Sequence, residues 1–175
     1  MAVSPTPLIN TFKNNRDAPR TQPVDIAKQI TDWYHKEVFA KNTENQYNNP
    51  PLSVNKGAFY SALAPAYVDV ESSMKSANPS QLITIAGAHE AASLAYWSGA
   101  LMQKTNPPPP AVAIQEHPVV NPGSFSVGLP EINSIEGYCG LLADAHTKHL
   151  LTVQGKAVSQ MPDGSIQDFP WTGIG

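Results

Sequence analysis

The chain contains little cysteine and little charge. Cys139 is the single cysteine among 175 residues, so no internal disulfide can form. Charged residues make up 14% of the chain, against roughly 25% in ordinary globular proteins. The formal net charge of -3 argues against a protein that binds nucleic acid electrostatically. The length suits one domain whose core needs neither disulfides nor metals.

Long apolar runs and catalytic motifs are also missing. No segment approaches about 18 uninterrupted apolar residues, so we expect no membrane span. The N-terminus lacks a basic segment followed by an apolar one, so we expect no secretion signal. No CxxC, HExxH, Walker-type loop, dinucleotide fingerprint or GxSxG elbow occurs. We therefore expect no catalytic residue, no metal, no cofactor and no small-molecule substrate.

Proline is abundant, with 17 residues, about twice its average usage. Residues 1–22 show no sustained periodicity, and we expect an extended N-terminal arm there, with Leu8, Ile9 and Phe12 as apolar anchors. Residues 105–130 form a second Pro-rich stretch, too long for an ordinary connection and too apolar for a free linker. We expect a long extended loop, whose first part is a short polyproline II rod built from Pro107, Pro108, Pro109 and Pro110.

Helical spacing of apolar residues dominates the rest of the chain. The longest run, 78–104, begins with Asn78 and Pro79, which suit the cap and first turn of a helix. Pro65 predicts a kink or break near Ala62 in another of these runs. The predicted helices are four: 23–40, 55–74, 78–104 and 131–150.

The predicted fold class is mainly α. A small bundle of about four helices makes one helical domain over 23–150, which carries the Pro-rich loop 105–130. Residues 1–22 are the N-terminal arm. Residues 151–175 alternate in places as a β-strand does, contain the turn signal Met161-Pro-Asp-Gly, and are predicted to be a β or extended C-terminal tail.

Histidine offers the nearest approach to a chemical site. His146 and His149 are three residues apart on a predicted helix, beside Asp144, and such a pair can ligate a metal, but a zinc site needs three or four protein ligands. We expect surface or capping histidines instead. Cys139 and His146 are two helical turns apart, too far for a nucleophile and its base. His89 lies on the apolar stripe of its helix, which favours a core histidine with a satisfied hydrogen bond.

Large apolar residues outside the predicted helices favour contacts between subunits. Phe125 lies in the Pro-rich loop, and Phe169 and Trp171 lie in the C-terminal tail. Together with the anchors of the arm and the proline run, they form the predicted interaction residues. The alternative is that these segments fold back on their own helices.

The general character of the chain is carried by its low charge, its many Asn and Pro, and three segments: MAVSPTPLINTF, TNPPPPAVAIQEHPVVNPGSFSVGLP and DFPWTGIG. That character resembles virion proteins of tailed bacteriophages. The nearest type is the neck, tail or baseplate subunit. The resemblance implies a structural, non-catalytic protein that forms homo-oligomers and contacts other virion proteins. It also implies synthesis in the host cytoplasm and residence in the virion.

Two other functions remain open from the sequence. One is a small metal-dependent enzyme that uses His146 and His149. The other is a helical adaptor that presents its Pro-rich loop to an aromatic-lined groove.

Overall fold

The computed structural model describes residues 2–17, 24–41, 44–68, 79–116, 119–121 and 134–175, with the backbone alone at 79–84 and 119–121. Within this part the chain forms five α-helices, one 3₁₀ helix and six strands. In chain order these are α1 (Thr6–Asp17), α2 (Ile26–Val38), β1 (Pro51–Ser53), α3 (Lys56–Leu63), the 3₁₀ helix (Ala64–Tyr67), α4 (Pro79–Trp97), β2 (Leu101–Met102), β3 (Ala113–Ile114), β4 (Val119–Asn121), α5 (Ile135–Leu150), β5 (Gln154–Gln160) and β6 (Ile166–Thr172).

The prediction of a mainly α bundle is wrong, because the protein is mixed α/β. All six strands belong to one antiparallel sheet. β5 pairs with β6 along its whole length, so β4 and β3 share the other edge of β5, and β2 and β1 extend the sheet beyond β4. Strands of two or three residues are too short to show a period of two in the sequence.

The Pro-rich segment is therefore more than a loop. Its residues Ala113 and Ile114 form β3, and 119–121 form β4. The predicted proline rod also ends in a turn, where the Ala111 N–H donates to the Pro108 carbonyl at 2.8 Å. The remainder of the predicted loop, 117–118 and 122–130, lies outside the described residues.

The prediction of an extended N-terminal arm is also wrong. Residues 6–17 form α1, because Pro7 is tolerated in the first turn and Leu8 and Phe12, four residues apart, project on one face. Leu8 is 0% exposed and Phe12 is 6% exposed within the chain's own core. The preceding segment is docked as well, since the Val3 N–H donates to Thr147 Oγ1 at 2.9 Å and the Trp33 indole donates to the Ser4 carbonyl at 2.8 Å.

Helix boundaries follow local capping. Asp25, Asn55 and Ser134 each accept a hydrogen bond from the backbone N–H three residues later, so α2, α3 and α5 begin where a side chain satisfies a free donor. The predicted break at Pro65 is confirmed, because α3 ends at Leu63 and continues as the 3₁₀ helix. The central helix α4 ends at Trp97, seven residues before its predicted end, and Gly99 then turns the chain at a φ of +70° into β2.

The C-terminal segment forms a β-hairpin, where the sequence predicted a β or extended tail that contains a turn signal. The Gly164 N–H donates to the Met161 carbonyl at 2.9 Å, and Gly164 adopts a φ of +84°. Trp171 stands opposite Gly155 across the hairpin and is 2% exposed, so the tail closes over the chain's own core. Pro170 lies on β6, whose described pairing is with β5, consistent with the confinement of proline to edge strands.

Candidate functional site

Five polar side chains form a continuous hydrogen-bonded chain in the helical core. Ser93 Oγ lies 3.1 Å from His146 Nδ1, and His146 Nε2 lies 3.3 Å from His89 Nδ1. His89 Nε2 lies 2.7 Å from the Tyr67 hydroxyl, which is hydrogen-bonded in turn to the hydroxyl of Tyr138. We call these residues, in the order Ser93, His146, His89, Tyr67 and Tyr138, the polar chain.

Helical spacing places the members of the polar chain. His89 and Ser93 are four residues apart on α4 and therefore project from one face. Tyr138 and His146 lie two turns apart on α5, each four residues from the buried Leu142 between them. Tyr67 closes the 3₁₀ helix that continues α3. The polar chain thus connects three helical elements through side chains.

Aromatic rings enclose the middle of the polar chain. The ring centroid of His146 lies 4.5 Å from that of Tyr34, 5.9 Å from that of Phe59 and 6.0 Å from that of Trp33. Ser93, His89 and His146 are each 0% exposed. Burial of polar groups is favourable only when they are hydrogen-bonded, which the polar chain achieves for both imidazoles.

The polar chain is electrically neutral near pH 7. Burial lowers the pKa of His89 to about 3. Burial, with the nearby His89 and His149 as lesser causes, lowers the pKa of His146 well below its ordinary value. Burial likewise raises the pKa of the Tyr67 and Tyr138 phenols, so both keep their protons. Every member is therefore a neutral hydrogen-bonding group.

The arrangement contains the elements of nucleophilic chemistry but gives them no access. Ser93 beside His146 has the geometry of a nucleophile and its base. A substrate must reach the nucleophile, however, and both side chains are 0% exposed beneath the aromatic rings. The geometry is that of a satisfied polar core, which ties helices together.

The predicted histidines are also poorly placed for metal binding. His146 and His149 are buried, at 0% and 1% exposure, so the expectation of surface histidines is wrong, while His149 does lie in the last turn of α5. Both ring nitrogens of His146 make hydrogen bonds within the polar chain. Within the described residues, no group of three or more His, Cys, Asp or Glu side chains is placed to hold a metal ion. Asp144 instead pairs with Lys148 at 2.6 Å on the exposed side of α5.

The predicted interaction residues are scattered and mostly internal. Leu8, Phe12 and Trp171 are buried in the protein's own core, and Ile9 packs against it. Phe169 is partly buried on β6. Within the proline run, Pro107 is partly buried, Pro108 is buried, and Pro109 and Pro110 are exposed. Phe125 lies outside the described residues.

The sequence indicated one member of the polar chain and missed its other bonding partners. The expectation that His89 is a hydrogen-bonded core histidine is confirmed. Ser93, four residues later on the same stripe, was a signal that could have been used. Tyr67, Tyr138 and His146 come from other helices, and their convergence depends on helix packing that periodicity does not specify.

No family model matches this chain, and comparison with curated proteins and with solved structures found no significant match. None of the helices in the described part of the chain is both long and apolar enough to cross a membrane.

Proposed function

We propose that the protein is a structural subunit of a virus particle, of the tailed-phage neck, tail or baseplate type, which assembles as a homo-oligomer and contacts other virion proteins. The compositional resemblance supports this class. The burial of the polar chain supports it further, because the residues best suited to chemistry are used in packing. No small-molecule substrate and no cofactor enter the proposal.

The exposed apolar residues at one end of the sheet carry the oligomer part of the proposal. Val112 is 61% exposed and Ile166 is 55% exposed. They flank the same β5 residue from opposite sides, since the Val112 N–H donates to the Gln160 carbonyl at 2.8 Å and Gln160 pairs with Ile166 across the hairpin. Two exposed large apolar side chains at the same end of the sheet suit contact with a second copy of the chain.

This location replaces the anchors expected from the sequence. Leu8, Phe12 and Trp171 cannot serve as docking residues while they are buried in their own subunit. The Pro-rich segment also fits an adaptor poorly, because it turns back at Ala111 and a peptide-groove ligand is extended.

The test is the molar mass of the full chain by light scattering over a range of concentrations. The proposal expects a multiple of the monomer mass, which the double variant Val112→Asp/Ile166→Asp reduces. The double variant Gln167→Asp/Thr172→Asp is the matched control, because it adds the same two charges at exposed positions on β6. A wild-type monomer at every concentration would remove the proposal of a homo-oligomer.

The virion assignment needs a separate observation. The genes that flank the coding sequence should encode capsid, portal or tail proteins. An oligomer encoded among metabolic genes would retain the assembly proposal and reject the virus particle.

A further inference from the structure

Both ring nitrogens of each imidazole in the polar chain are hydrogen-bonded at neutral pH. His146 bonds with Ser93 on one side and His89 on the other, and His89 continues to Tyr67. A neutral imidazole carries one N–H donor and one acceptor nitrogen. In each hydrogen bond one partner therefore supplies the hydrogen, so all the hydrogen bonds between Ser93 and Tyr67 must donate in the same direction along the polar chain.

This requirement couples the tautomers of the two histidines. If Ser93 donates to Nδ1 of His146, then Nε2 of His146 carries the hydrogen and donates to His89, whose own Nε2 donates to Tyr67. If the direction is reversed, both histidines carry the hydrogen on Nδ1. In either case the two imidazoles share one tautomer.

The groups described in contact with the two imidazoles are neutral. The ring and hydrogen-bond contacts described for His89 and His146 are with aromatic side chains, with Ser93 and with one another. The groups described as facing the two imidazoles and their tyrosine partners come from five elements. The first helices contribute Trp33 and Tyr34 from α2, Phe59 from α3 and Tyr67 from the 3₁₀ helix. Ser93 comes from α4, and Tyr138, Cys139 and His149 come from α5.

We propose that the polar chain is an acid-sensitive lock, which holds α4 to α5 and to the 3₁₀ helix while both histidines are neutral and releases these contacts when the opened form takes up protons. The closed form excludes protons because both imidazoles are 0% exposed and every ring nitrogen already makes a hydrogen bond, one of them as the acceptor in each ring. The opened form returns them to water, where they protonate normally. Acid thus shifts the equilibrium toward opening.

The sign and the pH window follow from the two histidines. Burial lowers their pKa from the ordinary 6.5, to about 3 for His89. The closed form therefore binds fewer protons than the open form below pH 6.5, so the stabilisation is complete above pH 6.5 and is lost as pH falls towards 3. Between pH 7 and pH 5, opening should rise about 25-fold for each histidine.

The pH range between 7 and 5 separates the effect of the histidines on stability from that of the carboxylates. Asp17, Asp32 and Glu136 also have a lowered pKa, but their ordinary values are 3.8, 3.8 and 4.5, so they act mainly below pH 5. His35 also has a lowered pKa, through burial and the nearby Lys56. It is hydrogen-bonded to Tyr96 of α4, outside the polar chain, and provides a comparison at a partly buried histidine.

Native-state hydrogen exchange of the full chain tests the lock. With exchange corrected for its intrinsic pH dependence, the opening constant of amides in α4 and α5 should rise several hundredfold from pH 7 to pH 5, and amides of the β5–β6 hairpin should rise less. His89→Gln and His146→Gln should each reduce that rise to about 25-fold. His35→Gln should reduce the rise by less than either polar-chain variant does, because His35 is only partly buried.

Three results would overturn the lock. They are a wild-type opening constant that does not change with pH, an equal rise in the helices and the hairpin, or an unchanged rise in both single variants. If a variant fails to fold, the comparison of helix and hairpin amides in the wild-type protein decides. The ¹⁵N shifts of the two histidine rings at pH 7 give a second readout, because the lock requires both to be neutral and in the same tautomer.

Discussion

His89 Nδ1 and His146 Nε2 lie 3.3 Å apart, and this contact joins α4 to α5 in a region from which water is excluded. Two imidazoles this close repel one another when both are protonated, and burial favours the neutral state by lowering the pKa of each. The hydrogen bonds that continue on both sides, to Ser93 and to Tyr67, fix the orientation of the rings. Buried polar networks of this kind specify one packing arrangement when every member is satisfied.

Ser93→Ala should destabilise the protein by about 1–3 kcal/mol, because it removes the hydroxyl that bonds His146 Nδ1 in a fully buried site. The measurement is the free energy of unfolding in urea at pH 7. Ser98→Ala, at an exposed position just beyond α4, is the matched control and should change stability by less than about 0.5 kcal/mol. Equal effects at the two serines would contradict the role given to the polar chain.

The elements that the sequence predicted correctly have local causes. Asn55 and Ser134 cap their helices with side chains three residues from the donor they satisfy, and Pro65 interrupts a helix through its own ring. The Met161–Gly164 turn likewise depends on adjacent residues. Such features need no knowledge of the rest of the fold.

The elements that the sequence did not predict depend on distant partners. β3 and β4 exist because β5 supplies their hydrogen bonds from about 40 residues away. α1 is only 12 residues long and is held by burial of Leu8 and Phe12 in a core built by other helices. The same applies to the candidate site. The sequence alone suggests that His146 is a surface residue, and it is buried only because α4 packs against it.

Leu8→Ala should cost about 2–5 kcal/mol of stability, since the side chain is 0% exposed and its removal leaves a cavity. If Leu8 packs within its own subunit, this loss is independent of protein concentration. Unfolding curves at several concentrations check it, with Asn10→Ala on the exposed face of α1 as the control. A loss that disappears on dilution would instead place Leu8 in a contact between subunits.

Two glycines should respond in opposite directions to alanine. Gly87 lies exposed in α4 with no atom within 4 Å of the added methyl group, so Gly87→Ala should stabilise the protein by about 0.5–1 kcal/mol. Gly164 has a φ of +84°, so Gly164→Ala should destabilise it by about 1–2 kcal/mol although space is available. Thermal unfolding of both variants tests the sign, and destabilisation by Gly87→Ala would contradict the exposed placement of that helix face.

Cys139 should be inert in the folded protein and reactive only after unfolding. Its side chain is buried, and burial, with the nearby charge of Glu136 as a lesser cause, raises the pKa of its thiol to about 12. Because the thiolate is the nucleophile, labelling by a disulfide reagent at pH 8 should be slow without denaturant and fast in urea. The folded-state pKa is raised, so the stabilisation from the neutral thiol is present below the ordinary pKa of 9.0 and is lost as pH rises towards 12. Cys139→Ala is the control for reaction at other groups. Rapid stoichiometric labelling of the native protein would show that α5 does not pack Cys139 into the core, and would remove the arrangement on which the polar chain depends.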